Sequence, residues 1–401
     1  MNDSTSARTI AVIIATCNHA RLLQRCLESL EVQSRPANEI IVVDDGSTDE
    51  TPSVLTSARV PGLRVVRQSN QGVSAARNRG LASTDAEYVL FLDDDDTLPI
   101  RALEHLTDAI AVLPSPDVAH GDWEFVVDAT GKRLSQHASF EDRPIEGLLI
   151  RNPIAVHSAL VRRDRVVGLG GFRDRQGALE DWELWLRLAC AGAHFRHVPR
   201  IVAHYHWRAG SGSSHVDRMH AARMAILTEH RAQALTLVDA SVWQTATFGA
   251  WMDHAVNLFR VGDIARAAFA LGEAANLQTE LLTQIDTFYR LWRSDYLEAL
   301  GDQGDRASPE RWRTRRQKMS DLLSLLAAMM PAMSSVRAAS DWALAQALRE
   351  DGRPGPAVAA AATAIAYRPS WIRRRRLLRL TGRSLLDSLR RFDASASVEL
   401  L

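Results

Sequence analysis

The stretch Tyr88-Val-Leu-Phe-Leu-Asp-Asp-Asp-Asp-Thr97 constrains the fold of this chain more than any other. An apolar run ends abruptly in consecutive carboxylates, Asp93 to Asp96. Val89, Leu90, Phe91 and Leu92 suit a buried strand, whereas adjacent anions repel and are tolerated best beside a cation. The run therefore predicts a strand whose carboxyl end carries a metal site, at the edge where open α/β sheets bind ligands.

The rest of the first half agrees with such a sheet. Residues 10–15, 40–43 and 63–66 are short, largely apolar runs read as strands. Between them, Leu22, Leu23, Cys26, Leu27 and Leu30 recur at helical spacing after Asn18, a predicted helix N-cap, and residues 74–82 read as a helix. Segments 123–127 and 155–161 look like further strands, and residues 179–191 like an amphipathic helix. This alternation predicts a mostly parallel sheet with flanking helices, over residues 1–215. After His215 the strand patterns vanish, and residues 216–401 read as a helical domain. Within it, residues 259–268 resemble 348–357, which fits either helical-hairpin repeats or an irregular bundle, and 301–309 is a polar break.

Composition narrows the partners. Lys plus Arg and Asp plus Glu are 48 each, so no net charge steers the chain toward nucleic acid or anionic membranes. The cysteines Cys17, Cys26 and Cys190 form no disulfide framework and suit a reducing compartment. Residues 1–9 are polar, without the apolar core of a secretion signal. No apolar run approaches the roughly 20 residues a membrane helix needs. The expectation is a cytoplasmic protein with no nucleic-acid partner.

Several residue groups carry chemistry. Asp93 and Asp95 share one face of an extended chain and can hold a hard divalent cation while leaving positions for phosphate oxygens. Asp96 or Thr97 can also cap a following helix. Asp44 and Asp45 end the second strand, where a carboxylate can accept from a base or ribose, or simply shape a polar turn. Arg77 can meet a phosphate or lie on a solvated helix face. Glu180 complements a helix dipole, and Asp181 beside it is a candidate general base.

Five segments in order then carry a resemblance: Ala11-Val-Ile-Ile-Ala-Thr-Cys-Asn18, Val42-Val-Asp-Asp-Gly-Ser-Thr-Asp49, Asn70-Gln-Gly-Val-Ser-Ala-Ala-Arg-Asn-Arg-Gly80, Phe91-Leu-Asp-Asp-Asp-Asp96 and Leu179-Glu-Asp-Trp-Glu-Leu-Trp-Leu-Arg187. Together they resemble family-2 glycosyltransferases, inverting enzymes of GT-A fold that use nucleotide sugars, over roughly residues 9–214. The resemblance implies that Asp181 is the general base and that Asp45, with Asp44, contacts the nucleobase. It implies that Asp93 and Asp95 form the Asp-x-Asp pair on a Mn2+ or Mg2+ ion. It further implies donor contacts from Thr16, Asn18, Arg77, Asp93, Asp94 and Arg208. Arg208 and Ser211 fall in a loop over the donor diphosphate, where relatives often carry a His in place of Arg208. A tyrosine common after the first strand is Cys17 here. His157, Glu180 and Trp182 are acceptor-side candidates, with His157 alternatively a strand histidine and Trp182 a sugar-stacking ring. The expected donor is a UDP-sugar, and the expected acceptor a glycan, a lipid-linked glycan or a protein. The expected setting is cell-surface polysaccharide or glycoconjugate synthesis.

Two other classes remain open at this stage. A nucleotidyltransferase also pairs carboxylates on such a sheet, but Ala15-Thr-Cys-Asn-His19 is no Gly-rich basic loop. A degenerate transferase fold serving as a scaffold is the second. At the C-terminus, Trp371, Leu378, Leu385 and Phe392 recur every seven residues beside Arg373 to Arg376. Residues 371–392 are either a closing bundle helix or a peripheral contact with the inner membrane face.

Overall fold

The structure, a computed structural model, describes residues 8–140, 143–173, 178–208, 215–277, 285–292, 309–327, 333–350 and 354–367. The chain divides into two units, Met1–Ala246 and Thr247–Leu401.

The first unit begins with β1 (Ile10–Thr16), α1 (Ala20–Glu31), β2 (Glu39–Asp45), α2 (Thr51–Ser57), β3 (Leu63–Gln68), α3 (Val73–Leu81) and β4 (Tyr88–Asp93). It continues with α4 (Ala102–Ala111), β5 (Val118–Val127), β6 (Lys132–Gln136), α5 (Pro144–Ile150), a 3-10 turn at Val156–Ser158 and β7 (Ala159–Arg162). It then forms α6 (Arg163–Gly168), α7 (Glu180–Cys190), β8 (Phe195–Trp207) and α8 (Val216–Ala234). The strands form one sheet in the order β3-β2-β1-β4-β7-β5-β6, with β8 also on β5.

Strands β1, β2 and β4 are buried along nearly their whole length, which is why they read as continuous apolar runs. At the sheet's edge β3 is half exposed and carries Arg64 and Arg67. The parallel expectation holds from β3 to β4. Beyond β4 the sheet is mixed: β7 runs antiparallel to β4, because the chain enters it from the carboxyl edge through the 3-10 turn. The register levels the ends of the central strands. Thr16 lies opposite Asp44, and Ala15 opposite Asp93, so the acidic loops open on one edge.

Gly80 lets α3 approach that sheet closely. A Cβ there would sit 2.4 Å from Ile13 Cγ2. Ala76 packs with Ile41 and Val43 one turn earlier on the same helix.

Two predicted caps are corrected. Asn18 does not cap α1; it takes a left-handed backbone, φ 58°, and its Oδ1 accepts from the Thr48 and Asp49 N–H groups. Asp96 does not cap the next helix either. It is buried and accepts from the His206 N–H at 2.7 Å, while α4 starts later at Ala102.

Helix α8 belongs to the first unit although the sequence reading divides the chain before it. Arg223 donates to the Ile150 carbonyl at 2.7 Å, and His230 lies 3.3 Å from Glu183.

In the second unit the described elements are helical: the C-terminal part of α9 (Ala240–Val261), α10 (Ile264–Leu277), α11 (Ile285–Trp292), α12 (Pro309–Ala327), α13 (Met333–Glu350) and α14 (Pro354–Tyr367). The first predicted helix break is present. Gly262, at φ 90°, ends α9, the Asp263 N–H returns to Leu258, and Ala-rich α10 follows. Trp292 is buried and donates to the Ser340 carbonyl, tying α11 to α13. The polar break at 301–308, the second hairpin turn near Gly352 and the basic segment 371–392 lie outside the described residues. Among the described residues, no helix is long and apolar enough to cross a membrane.

Candidate active site

The carboxylates of Asp93 to Asp96 each meet a different partner. Asp93, the last residue of β4, accepts from Arg77 at 2.5 Å. Asp94 lies 3.0 Å from His19 Nδ1, and Asp95 is 2.6 Å from Arg208. Asp96 Oδ2 sits 3.3 Å from His157 Nδ1. Arg77 and Arg208 therefore supply counter-charges to Asp93 and Asp95, while imidazoles lie beside Asp94 and Asp96.

Arg77 is the keystone of this arrangement, and it is only 3% exposed. One nitrogen reaches Asp93; another reaches Glu180 on α7 at 2.7 Å. Its guanidinium also lies over the Phe172 ring, 5.1 Å from the centroid. That ring packs edge-on against Phe91. Asn78 secures the turn bearing Phe172 by exchanging two hydrogen bonds with its backbone, at 2.7 and 2.8 Å. A buried cation between two anions keeps its proton: burial opposes the charge, but Asp93 and Glu180 raise the Arg77 pKa. In return, burial would raise Asp93, and Arg77 outweighs it and holds that carboxyl below its usual range. Two of the Arg77 nitrogens thus point at carboxylates in this structure.

Asp181 opens α7 after Leu179, which adopts φ 63°. Its Oδ1 accepts from the Trp182 N–H at 2.7 Å and its Oδ2 from Asn152 Nδ2 at 3.1 Å. Burial and the neighbouring Glu180 charge push its pKa up to about 7, against the smaller opposing effect of Arg77. A carboxylate poised there suits general-base work near neutrality.

On the other side of β1, Asp44 and Asp45 are buried. Asp44 accepts from the Ser47 N–H at 2.8 Å and shapes the turn after β2. Gly46 carries that turn at φ 81°, with a would-be Cβ 2.9 Å from the Asn70 N. Asp45 accepts from the backbone of Gln71 and Gly72 and from the Gln68 side chain. Both the turn reading and a rigid site wall are thus visible in the same pair. Asn18 laces the β1 and β2 loops together, and Thr16 Oγ1 is buried without a hydrogen-bond partner.

Further placements differ from the sequence reading. Asp94, implied as a donor contact, is buried against His19, whose pKa that hydrogen bond raises. Trp182 is 2% exposed, donates to the Leu148 carbonyl and lies beneath Arg223, so its faces are not open to a sugar. His157 is neither a strand histidine nor an exposed wall. It sits in the 3-10 turn, 1% exposed, and neither ring nitrogen makes a hydrogen bond of good geometry. Burial pushes its pKa down to about 4 and pushes the Asp96 carboxyl well above its usual range. Asn152, Arg25 and His206 were missed. Arg25 donates to the Asp95 carbonyl at 2.7 Å, and His206 Nδ1 is 2.6 Å from Asp128. Only Asn152 carried a signal, the Asn152-Pro153 pair.

The donor set fits a divalent cation. Ligand atoms of Asp93, Asp96 and His157 lie within 4.8 Å of one another. Carboxylate oxygens with an imidazole suit Mn2+ or Mg2+. Openness divides the candidates: the Asp93 and Asp95 side chains are 30% and 29% exposed, those of Asp96 and His157 only 3% and 1%.

A mixed α/β sheet with flanking helices and acidic loops on its carboxyl edge is an architecture of GT-A type. Residues 11–164 match the model of Glycosyl transferase family 2. A PGL/p-HBAD biosynthesis glycosyltransferase of Mycobacterium bovis is 29% identical over 230 residues, 56% of this chain and 86% of the relative. An uncharacterized glycosyltransferase of Nostoc is 33% identical over 138 residues, 32% of this chain. The match spans 43% of that relative's length. The crystal structure of S. aureus TarS shares the fold, with a TM-score of 0.50 at 18% identity, over 80% of this chain and 55% of TarS.

Proposed function

We propose that this glycosyltransferase is metal-dependent and inverting, and that it moves a sugar from a nucleoside-diphosphate donor to a hydroxyl of a glycan, lipid-linked or protein acceptor. The observation that carries the reading is Asp181: a carboxylate poised at about 7, tied through Glu180 and Arg77 to the end of β4. In this reading Asp181 takes the proton from the acceptor hydroxyl. The oxygen forms a bond to the anomeric carbon as the bond to the diphosphate breaks on the opposite face. The nucleoside diphosphate leaves with the electron pair, and single displacement inverts the centre. The transition state has oxocarbenium character.

Asp93 and Asp95 would hold the metal, because a cation that must also take phosphate oxygens needs ligands at an open edge. Bound there, a divalent ion supplies charge for the leaving diphosphate. Asp96 and His157 form the closed layer beneath. Asp45 and Asp44 would face the nucleobase end, with Thr16 and Asn18 beside them. The setting in cell-surface glycoconjugate synthesis is supported by the mycobacterial relative's name alone.

A thermal-shift screen of UDP-, GDP- and dTDP-sugars with and without manganese tests the donor. Stabilisation by one nucleotide class that needs the metal supports the proposal. Equal response to nucleoside triphosphates, with pyrophosphate release, favours a nucleotidyltransferase instead.

A further inference from the structure

We propose that Asn152 is a positioning residue for the base: its side-chain amide holds the Asp181 carboxylate in the orientation from which it takes the acceptor proton. The inference rests on the reading of Asp181 as that base.

The geometry fixes both ends of the amide. Asn152 Oδ1 accepts from the Ile154 N–H at 3.3 Å. That leaves Nδ2, a donor, facing Asp181 Oδ2 at 3.1 Å, where an ionised carboxylate can only accept. The Trp182 N–H holds the other oxygen at 2.7 Å. A free aspartate rotates softly about its terminal torsion. Here two donors from two different elements stop that rotation.

The segment bearing Asn152 is itself anchored. Pro153 follows it and disfavours helical backbone at Asn152. Three indole N–H groups clamp the surrounding carbonyls. Trp123 of β5 donates to Pro153 at 3.0 Å, Trp185 of α7 to Ile154 at 3.3 Å, and Trp182 to Leu148 at 2.5 Å. Indole can only donate, so each of these bonds has one possible direction. Two of the three indoles ride on α7, the helix that Asp181 begins. The strap and the base therefore move as one body. A simple loop cap would need only the Ile154 bond and would not account for the donor on Asp181.

The charged groups acting on Asp181 are Glu180, which disfavours its ionised form, and Arg77, which favours it. The Asn152 hydrogen bond also favours the ionised form. Removing it should both loosen the carboxylate and make it harder to ionise.

The test uses the full chain, with release of UDP from UDP-GlcNAc and of GDP from GDP-mannose measured in manganese across mildly acidic to mildly basic pH. Asn152→Ala is expected to lower kcat about 10- to 100-fold with an unchanged donor KM, since misplaced catalytic groups cost rate rather than binding. Its acid limb should move to higher pH. Asn152→Asp, nearly isosteric, should move the limb further, because it sets a second anion on Asp181. Trp123→Phe keeps an aromatic ring but loses the indole N–H together with the five-membered ring that carries it; a several-fold fall in kcat is expected. Carboxyl-carbon NMR of aspartate-labelled protein reads the same pKa rise without any donor, and covers the case where neither sugar nucleotide is turned over. Near-normal kcat, an unmoved limb, or a raised donor KM at constant kcat in Asn152→Ala would overturn the positioning role. If instead Asp181→Asn keeps its turnover, the base reading is what has failed.

Discussion

Arg77 of α3 and Glu180 of α7 meet at 2.7 Å across 103 residues of sequence. The same guanidinium holds Asp93 at the end of β4. One buried cation thereby joins the acidic strand end to the helix that carries the candidate base. The spacing between the two halves of the site is set by an ion-paired side chain rather than by backbone alone.

Cutting this link should be costly to the fold. Arg77→Met leaves Asp93 and Glu180 without their shared cation, and breaking a buried pair costs about 3–5 kcal/mol. Urea denaturation should show the loss as a lower midpoint. Arg77→Lys should recover only part of it, because an ammonium cannot fork to two carboxylates in one plane. A midpoint unchanged in Arg77→Met would mean the bridge contributes nothing.

Asp181→Asn should reduce transfer by about 10²- to 10⁴-fold, the usual weight of a general base. Nucleotide affinity should stay the same. Wild-type rate should rise with pH through about 7, as the carboxylate ionises. Stability should run the other way. Because its folded pKa lies above the ordinary value of 3.8, the folded state binds more protons between that value and about 7, and this group's stabilisation is lost as pH rises to about 7. Asp181→Asn should therefore raise Tm at mildly basic pH, measured by calorimetry, and have little effect in acid.

Metal binding should separate the carboxylates by openness. Asp95→Ala should abolish the manganese-dependent part of nucleotide binding in titration calorimetry. Asp96→Ala, in the closed layer, should leave that part intact and instead lower Tm, since it removes the acceptor of the His206 N–H. The reverse pattern would move the ion to the cluster of Asp93, Asp96 and His157.

Gly80→Ala should destabilise by about 1–3 kcal/mol through overpacking. The added Cβ would fall 2.4 Å from Ile13 Cγ2 in the centre of β1. Ile13→Val with Gly80→Ala keeps Cγ2 and should give no relief, whereas Ile13→Ala with Gly80→Ala should restore part of the loss. A double-mutant cycle reads the difference.

Much of the fold is legible because it is written in local periodicity. Buried parallel strands must be continuously apolar, so β1, β2 and β4 announce themselves, and so do the turns that interrupt them. The antiparallel β7 was not visible as such, since strand direction is decided by which edge the chain enters from. The acidic ends of β2 and β4 were found for a similar reason: charge at the end of an apolar run has no local explanation. Asn152, Arg25 and His206 had almost no such mark, because each acts on a partner far away in sequence.

The Asp93–Asp96 run by itself marked a strand end where negative charge accumulates, and with the other segments it carried the resemblance to a family. It did not establish what neutralises that charge. Tertiary structure assigned a separate partner to each: Arg77, His19, Arg208 and the buried His157. It also decided that Arg77 serves two carboxylates and that Trp182 is wall rather than platform. The physical reason is common to all these cases. Hydropathy and charge are properties of single residues and short runs, whereas burial, pKa and ion pairing depend on groups the chain brings together from separate elements, in two of these pairs from more than a hundred residues apart.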